Sequence, residues 1–382
     1  MSARPAPALL FGLLGACAAP SADEARNQLT LSLVGDDPAA ASDAFIAGVE
    51  AAQSELHMGL PELTDEALAA AIIDAQDRGV AVEVVLDVDK ADDPGAVMLV
   101  DALVPVTFAD GGITYQDFSV NVELSFSGDD VRMTHAYAII DRTRVITGSQ
   151  IGGVELGENI VMDVVSEDIG QDFLMEHGQV FGGMDASALT AYFAGAKSIV
   201  DARWLYKTQS SLTVELWFGP QERVVKRIID SVYSARSDVT VLTDDFLDKG
   251  LATALQAKAS TGFDVKVIVG QRFGSQAPPL SGELRDNAPD VQKSKFSLEQ
   301  RVPTVVLVDQ GTDRLGMRPR TQAFVLTHEI VSATRTLGIE PVPTDQLMDG
   351  NLWVLSQTGE VGPEIQQLND LVLQHLEQSE AL

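Results

Sequence analysis

The chain has 382 residues, 45% of them hydrophobic, which is enough for one large pseudo-symmetric body or two domains and too apolar for a disordered polymer. Its formal net charge of −30, from 56 acidic against 26 basic residues, argues against nucleic acid and anionic headgroups as ligands, since Lys and Arg hold both. A single cysteine, Cys17, excludes an intramolecular disulfide.

At the N-terminus, Arg4 precedes a short apolar stretch over residues 6–16, too short to span a bilayer and suited to the hydrophobic region of a signal peptide. Leu14-Gly15-Ala16-Cys17 is similar to the lipobox of bacterial lipoproteins. That likeness implies removal of residues 1–16, lipidation of Cys17, and a tether over residues 17–28. Ala18 stands where inner-membrane lipoproteins commonly carry Asp, so an outer-membrane lipoprotein facing the periplasm or the surface is expected. No later segment is apolar enough to cross a bilayer.

Beyond the tether the elements come in pairs. Residues 29–33 (LTLSL) and 212–216 (LTVEL) alternate as strands do. Residues 46–52 (IAGVEAA) and 229–235 (IDSVYSA) space their apolar side chains for one helical face. Short strands are expected at 55–60 and 238–242, and second helices at 65–78 and 247–260. Each of those helices is stopped by a glycine, Gly79 or Gly262, placed as a C-cap. Strands rich in valine follow, 80–87 (VAVEVVLD) and 263–270 (FDVKVIVG), and the two copies run at an offset of 183 residues. With looser spacing, 138–141 matches 306–309, 145–147 matches 325–327, and 159–162 matches 351–354. Closing helices are expected at 168–180 and 363–376, and a connecting helix at 186–206. The alternation predicts an α/β fold of two pseudo-symmetric halves, 29–185 and 211–379, joined through 186–210. Each half holds a mixed sheet flanked by helices, and the two sheets meet about a pseudo-twofold axis.

This order of elements resembles the phospholipase D superfamily, over nearly all of residues 29–379. The family carries His-x-Lys, four residues, Asp, six residues and Gly-Ser. Asp141, followed after six residues by Gly148-Ser149, fits that spacing, and Glu158-Asn159 before an apolar strand resembles the next landmark. The resemblance implies that a His of one half attacks phosphorus while the His of the other protonates the leaving oxygen. A Lys beside each His neutralises phosphate oxygens, and a carboxylate at the place of Glu158 orients the imidazole. It implies no metal and no cofactor.

The positions that carry this chemistry depart from the pattern. Counting back from Asp141 puts Thr134 at the His place and Ala136 at the Lys place, with His135 one residue out of register. Strand alternation aims such a residue away from the cleft unless a β-bulge turns it back, in which case Tyr137 takes the Lys place. From Asp309 the count reaches Val302 and Thr304; Gly-Ser has become His328-Glu329, and the orienting Glu is Gly350. The candidates for a vestigial site are therefore His135, Asp141, Ser149, Glu158, Asp309 and His328. Thr134, Ser149, Val302 and Glu329 are expected to approach one cleft.

The resulting expectation is a catalytically inactive phospholipase D-like lipoprotein of the cell envelope, anchored by lipid and binding or scaffolding an envelope protein, with no nucleic acid partner. The alternative is an active phosphodiesterase or phosphatidyltransferase, of the cardiolipin synthase kind, with a rearranged site. A third reading has the acidic cleft binding a cationic or metal ligand. Asp87, Asp89, Asp92 and Asp93 lack calcium-loop spacing, with Ala91 and Met98 where ligands belong, and read as a solvated loop. His57 and His177 are expected to serve packing, and Trp204, Trp217 and Trp353 to fill core or rim positions.

Overall fold

The computed structural model describes residues 27–34, 38–109, 114–117, 122–125, 133–149, 159–182, 205–208, 212–219, 221–243, 248–270, 290–294, 302–327, 335–337, 340–342 and 350–381. The first half runs β1 (Gln28–Val34), α1 (Pro38–Ala51), β2 (Glu55–Leu60), α2 (Glu66–Asp77), β3 (Ala81–Asp87), α3 (Pro94–Asp101), β4 (Val106–Ala109), β5 (Tyr137–Ile140), β6 (Arg144–Gly148), β7 (Asn159–Val165) and α4 (Glu167–Phe181). The second runs β8 (Thr213–Phe218), α5 (Val224–Ser234), β9 (Asp238–Thr243), α6 (Lys249–Ser260), β10 (Asp264–Val269), β11 (Asp290–Ser294), β12 (Thr304–Val308), β13 (Thr321–Leu326), β14 (Asn351–Gln357) and α7 (Pro363–Glu377).

Local chemistry sets the same boundaries in both copies. The Asp65 carboxylate accepts from the amides of Ala67 and Leu68 to start α2, and Asp248 accepts from Leu251 to start α6. Both helices stop where Gly79 and Gly262 turn left-handed, at φ +90° and +79°, a conformation that a side chain would strain.

The sheets repeat strand for strand. The first has the order β1-β7-β6-β5-β2-β3-β4, and the second has β8-β14-β13-β12-β9-β10-β11. In each, the pairings among β2, β3 and β4, or β9, β10 and β11, are parallel, and the others are antiparallel. Short strands extend the second sheet at its edges, Tyr206–Lys207 beside β8 and Ser379–Ala381 beside β11. Tyr206 is thus a strand residue where the sequence predicted the end of a connecting helix. The open edge of β8 offers amides and carbonyls that a paired strand satisfies. The body of that predicted helix lies outside the described residues.

Three apolar layers hold the body together. On the outer face of the first sheet, Phe45 and Val49 of α1, Leu68 and Ile72 of α2 and Leu99 of α3 cover Leu56, Met58, Val84, Ala136 and Ala138. On the outer face of the second, Ile228 and Val232 of α5 and Leu251 and Leu255 of α6 cover Val239, Val241, Val265 and Phe324. Between the sheets lies one continuous core shared by both halves. Tyr137, Ile139, Ile160 and Met162 meet Val214, Phe218, Val305, Leu307 and Trp353 there, with Phe173 of α4 and Leu368 and Leu371 of α7 in the same layer. Phe173 stacks on Trp353 with centroids 5.9 Å apart and meets Phe218 edge-on at 5.1 Å. Among the described residues no helix is long and apolar enough to cross a membrane.

Candidate functional site

The two motif aspartates hold matching turns. Asp141 and Asp309 both adopt positive φ, +48° and +62°. The Asp141 carboxylate accepts from the amides of Ser54 at 2.7 Å, Gln53 at 3.0 Å and Glu55 at 3.1 Å, and from the Ser54 hydroxyl at 2.7 Å. Asp309 accepts from the amides of Arg236 at 2.6 Å and Ser237 at 2.7 Å. Each ties the turn between the half's first helix and second strand to the end of β5 or β12. Burial disfavours the Asp141 carboxylate, but the bonds from Ser54, Glu55 and Gln53 together outweigh it and hold the group below the usual carboxylate range. This turn-holding role needs no substrate.

His135 points into the seam between the halves and is 0% exposed. Its ring lies edge-on to Tyr137 at 5.6 Å and tilted against Phe218 of the second half at 6.2 Å, and its Nε2 is 3.2 Å from Glu176 Oε1 of α4. Glu176 also accepts from Gln221 of the second half at 2.9 Å. The expected outward orientation is therefore corrected. From Tyr137 to Ile140, β5 pairs with β2 and β6 in unbroken register, so no bulge reverses its faces. Alternation sets His135 and Tyr137 on one face and Ala136 on the other, but the inward face proves to be the one with Tyr137. Ala136 packs in the outer core instead, and its carbonyl accepts from Thr147 Oγ1 at 2.7 Å.

The other sequence candidates that are described make contacts within the sheets. The Ser149 hydroxyl donates to Asn159 Oδ1 at 3.2 Å and accepts from the Ile160 amide at 3.2 Å, joining β6 to β7. Val302 is part of the central core, and the Thr304 hydroxyl lies 3.2 Å from that of Thr243. Glu158, His328, Glu329 and Cys17 lie outside the described residues, and with them the expected approach of Glu329 to the cleft. In the acidic loop, Asp87 is buried and accepts from the amides of Asp89 and Met133, while Asp93 accepts from Leu63, so these two brace the loop instead of facing water.

A polar cluster that sequence reasoning missed lies on the inner face of the first sheet. Glu55 and His57 of β2, Glu83 of β3 and His177 of α4 meet there, so the two histidines carry polar contacts beside the packing expected of them, His177 stacking on Phe181 at 5.4 Å. His57 Nδ1 is 2.9 Å from Glu83 Oε2, and its Nε2 is 3.2 Å from Glu55 Oε2. His177 Nε2 is 3.3 Å from the same Glu83 oxygen, and the Tyr137 hydroxyl lies 3.0 Å from His177 Nδ1. Gly59 makes room for this tyrosine, because a Cβ there would sit 2.5 Å from its ring. Burial pushes His177 down to about 4, leaving it neutral near pH 7. The imidazoles of His177 and His57 hold Glu83 down to about 2. Burial opposes the His57 cation, yet Glu83 and Glu55 outweigh it and raise its pKa. At the 183-residue offset the second half has Thr240 for His57 and Lys266 for Glu83, so these cluster positions are not duplicated. The available sequence signal was the interruption of two apolar strands by Glu55, His57 and Glu83 on one face.

Comparison with known proteins agrees with this architecture. Residues 45–150 match the family model for cardiolipin synthase, PLD-like domain. No curated protein sequence matches the chain. Among solved structures it is similar to phosphatidylserine synthase of Haemophilus influenzae, at 10% identity over 92% of this chain and 87% of that one, with a TM-score of 0.60. It is also similar to polyphosphate kinase from Porphyromonas gingivalis, at 10% identity over 91% of this chain, with a TM-score of 0.58, and spans 50% of that protein's length. Likeness at these identities concerns the fold. Two sheets of matching strand order, with residues 45–150 of the first half matching a PLD-like domain model, give the chain a phospholipase D-like fold of two repeats.

Proposed function

We propose that this phospholipase D-like protein is catalytically inactive and serves as a binding or scaffolding lipoprotein of the bacterial envelope. The supporting observation is the burial of His135, at 0% exposure, against Phe218 and the Glu176 carboxylate. In-line displacement requires a nucleophile and an acid on opposite sides of one phosphorus, with cations around its oxygens. Here the first half has Thr134 and Ala136 at the His and Lys places, and the second has Val302 and Thr304. Bringing a phosphodiester to His135 would bury an anion beside a buried carboxylate, with no lysine at the family's positions to offset it. In this reading the lipid on Cys17 holds the protein at the outer membrane, facing the periplasm or the surface. Residues 17–28 tether a body of net charge −30 beside a bilayer that repels it, leaving that body to an envelope protein partner.

The test is an assay of purified protein on phosphatidylcholine, phosphatidylglycerol and a chromogenic phosphodiester, beside His135→Ala. No turnover above buffer is expected from either protein. Turnover abolished by His135→Ala would replace this reading with that of an active enzyme with a rearranged site. For the anchor, radiolabelled palmitate fed to expressing bacteria should enter the wild type and not Cys17→Ser; an unlabelled, soluble wild type refutes it.

A further inference from the structure

We propose that His57 Nδ1, a Glu83 carboxylate oxygen and His177 Nε2 form a binding site for one divalent transition-metal ion of the zinc class. The three ligand atoms lie within 4.8 Å of one another, with Glu83 Oε2 2.9 Å from His57 Nδ1 and 3.3 Å from His177 Nε2. Tetrahedral coordination at about 2.1 Å sets ligand atoms about 3.4 Å apart, so small side-chain adjustments suffice to close the site.

The decisive feature is His177 Nε2. It is buried, and despite the nearby Glu83 oxygen it makes no hydrogen bond. A desolvated ring nitrogen that lies 3.3 Å from a carboxylate oxygen without an aligned hydrogen bond is poorly satisfied, and a metal ion between the two would use both lone pairs. The remaining ring nitrogens are already occupied. Glu55 Oε2 faces His57 Nε2 at 3.2 Å, and the Tyr137 hydroxyl faces His177 Nδ1 at 3.0 Å. This is the outer shell that orients metal-bound histidines and raises their basicity. Two imidazoles and one carboxylate suit zinc, cobalt and nickel better than calcium or magnesium. The Glu83 side chain is 34% exposed, which gives an ion a route in and leaves a coordination position for water. The site joins β2, β3 and α4, so a bound ion would pin the closing helix to the sheet. This proposal is independent of whether the seam is catalytic.

The test uses tag-free full-length protein, stripped with a chelator and titrated with Co²⁺ and then Zn²⁺. One equivalent of Co²⁺ should bind with visible ligand-field absorption, be displaced by Zn²⁺, and raise the melting temperature. His57→Gln and Glu83→Gln should each weaken binding at least tenfold. Glu55→Gln, which changes only the outer shell, should weaken it about ten- to a hundredfold. His177→Gln risks misfolding because the ring is buried, so the partly exposed His57 and Glu83 carry the test. His375→Gln, a buried histidine of α7, should bind as the wild type does. Absence of stoichiometric Co²⁺ binding, or binding unaffected in both His57→Gln and Glu83→Gln, overturns the proposal.

Discussion

Replacing Asp141 with alanine removes one carboxylate that serves the amides of Gln53, Ser54 and Glu55 and the Ser54 hydroxyl. Hydrogen bonds to a charged group contribute roughly 1.5–3 kcal/mol each when one partner is deleted, but water partly replaces the acceptor at a partly exposed site, so about 2–3 kcal/mol is expected in all. Asparagine keeps an acceptor oxygen and tolerates positive φ, so Asp141→Asn should cost only about 1 kcal/mol. Urea unfolding followed by circular dichroism should rank the midpoints wild type, Asp141→Asn, Asp141→Ala. The acid limb gives a second check. The folded-state pKa of Asp141 is lowered, so its contribution is complete above the ordinary aspartate range and is lost as pH falls through the lowered value. The gap between wild type and Asp141→Ala should therefore close below about pH 4. Equal midpoints for the three proteins near neutral pH would refute the turn-holding role.

Two glycines of α4 should respond with opposite sign. A Cβ on Gly170 would lie 2.0 Å from the Arg142 carbonyl oxygen, so Gly170→Ala should lower the melting temperature despite alanine's better helix propensity. A Cβ on Gly178 meets nothing within 4 Å, so Gly178→Ala should stabilise by about 0.5–1 kcal/mol. Equal shifts for the two would show that the approach of α4 to Arg142 is wrong. Phe173→Ala should cost about 3–5 kcal/mol, because it empties the point where α4 meets Phe218 and Trp353. Tryptophan fluorescence and circular dichroism should report this as one transition moved to lower urea; loss confined to the first half would refute a shared core.

The repeat was legible because each element's own periodicity and punctuation recur at one spacing. Gly79 and Gly262 stop their helices through local backbone conformation, which sequence carries directly. The motif aspartates were found by spacing, but their turn-holding bonds were not legible, since the donors at Gln53 to Glu55 and at Arg236 and Ser237 come from turns distant in sequence. His135 was misdirected for a related reason. Alternation tells which residues share a face, whereas the choice of face depends on how the halves pack. The cluster of His57, Glu83 and His177 was missed because it takes three segments of the chain to assemble, and each histidine alone looks like a packing residue.

The filled seam makes the family's charged residues costly to accommodate. Ala136, in the Lys register of the first half, is 1% exposed within the apolar layer on the outer face of the first sheet. A lysine restored there would thrust an unpaired ammonium into an apolar layer, a change costing several kcal/mol before any partner group existed to use it. Val302, in the His register of the second half, is 3% exposed within the shared core, so an imidazole there would first have to open that core. Placing the family's residues at these two positions would thus cost stability in each case before any partner group could use them. New ligands are more accessible to this fold at its rim, where a single substitution is cheap, than in the buried core between its sheets.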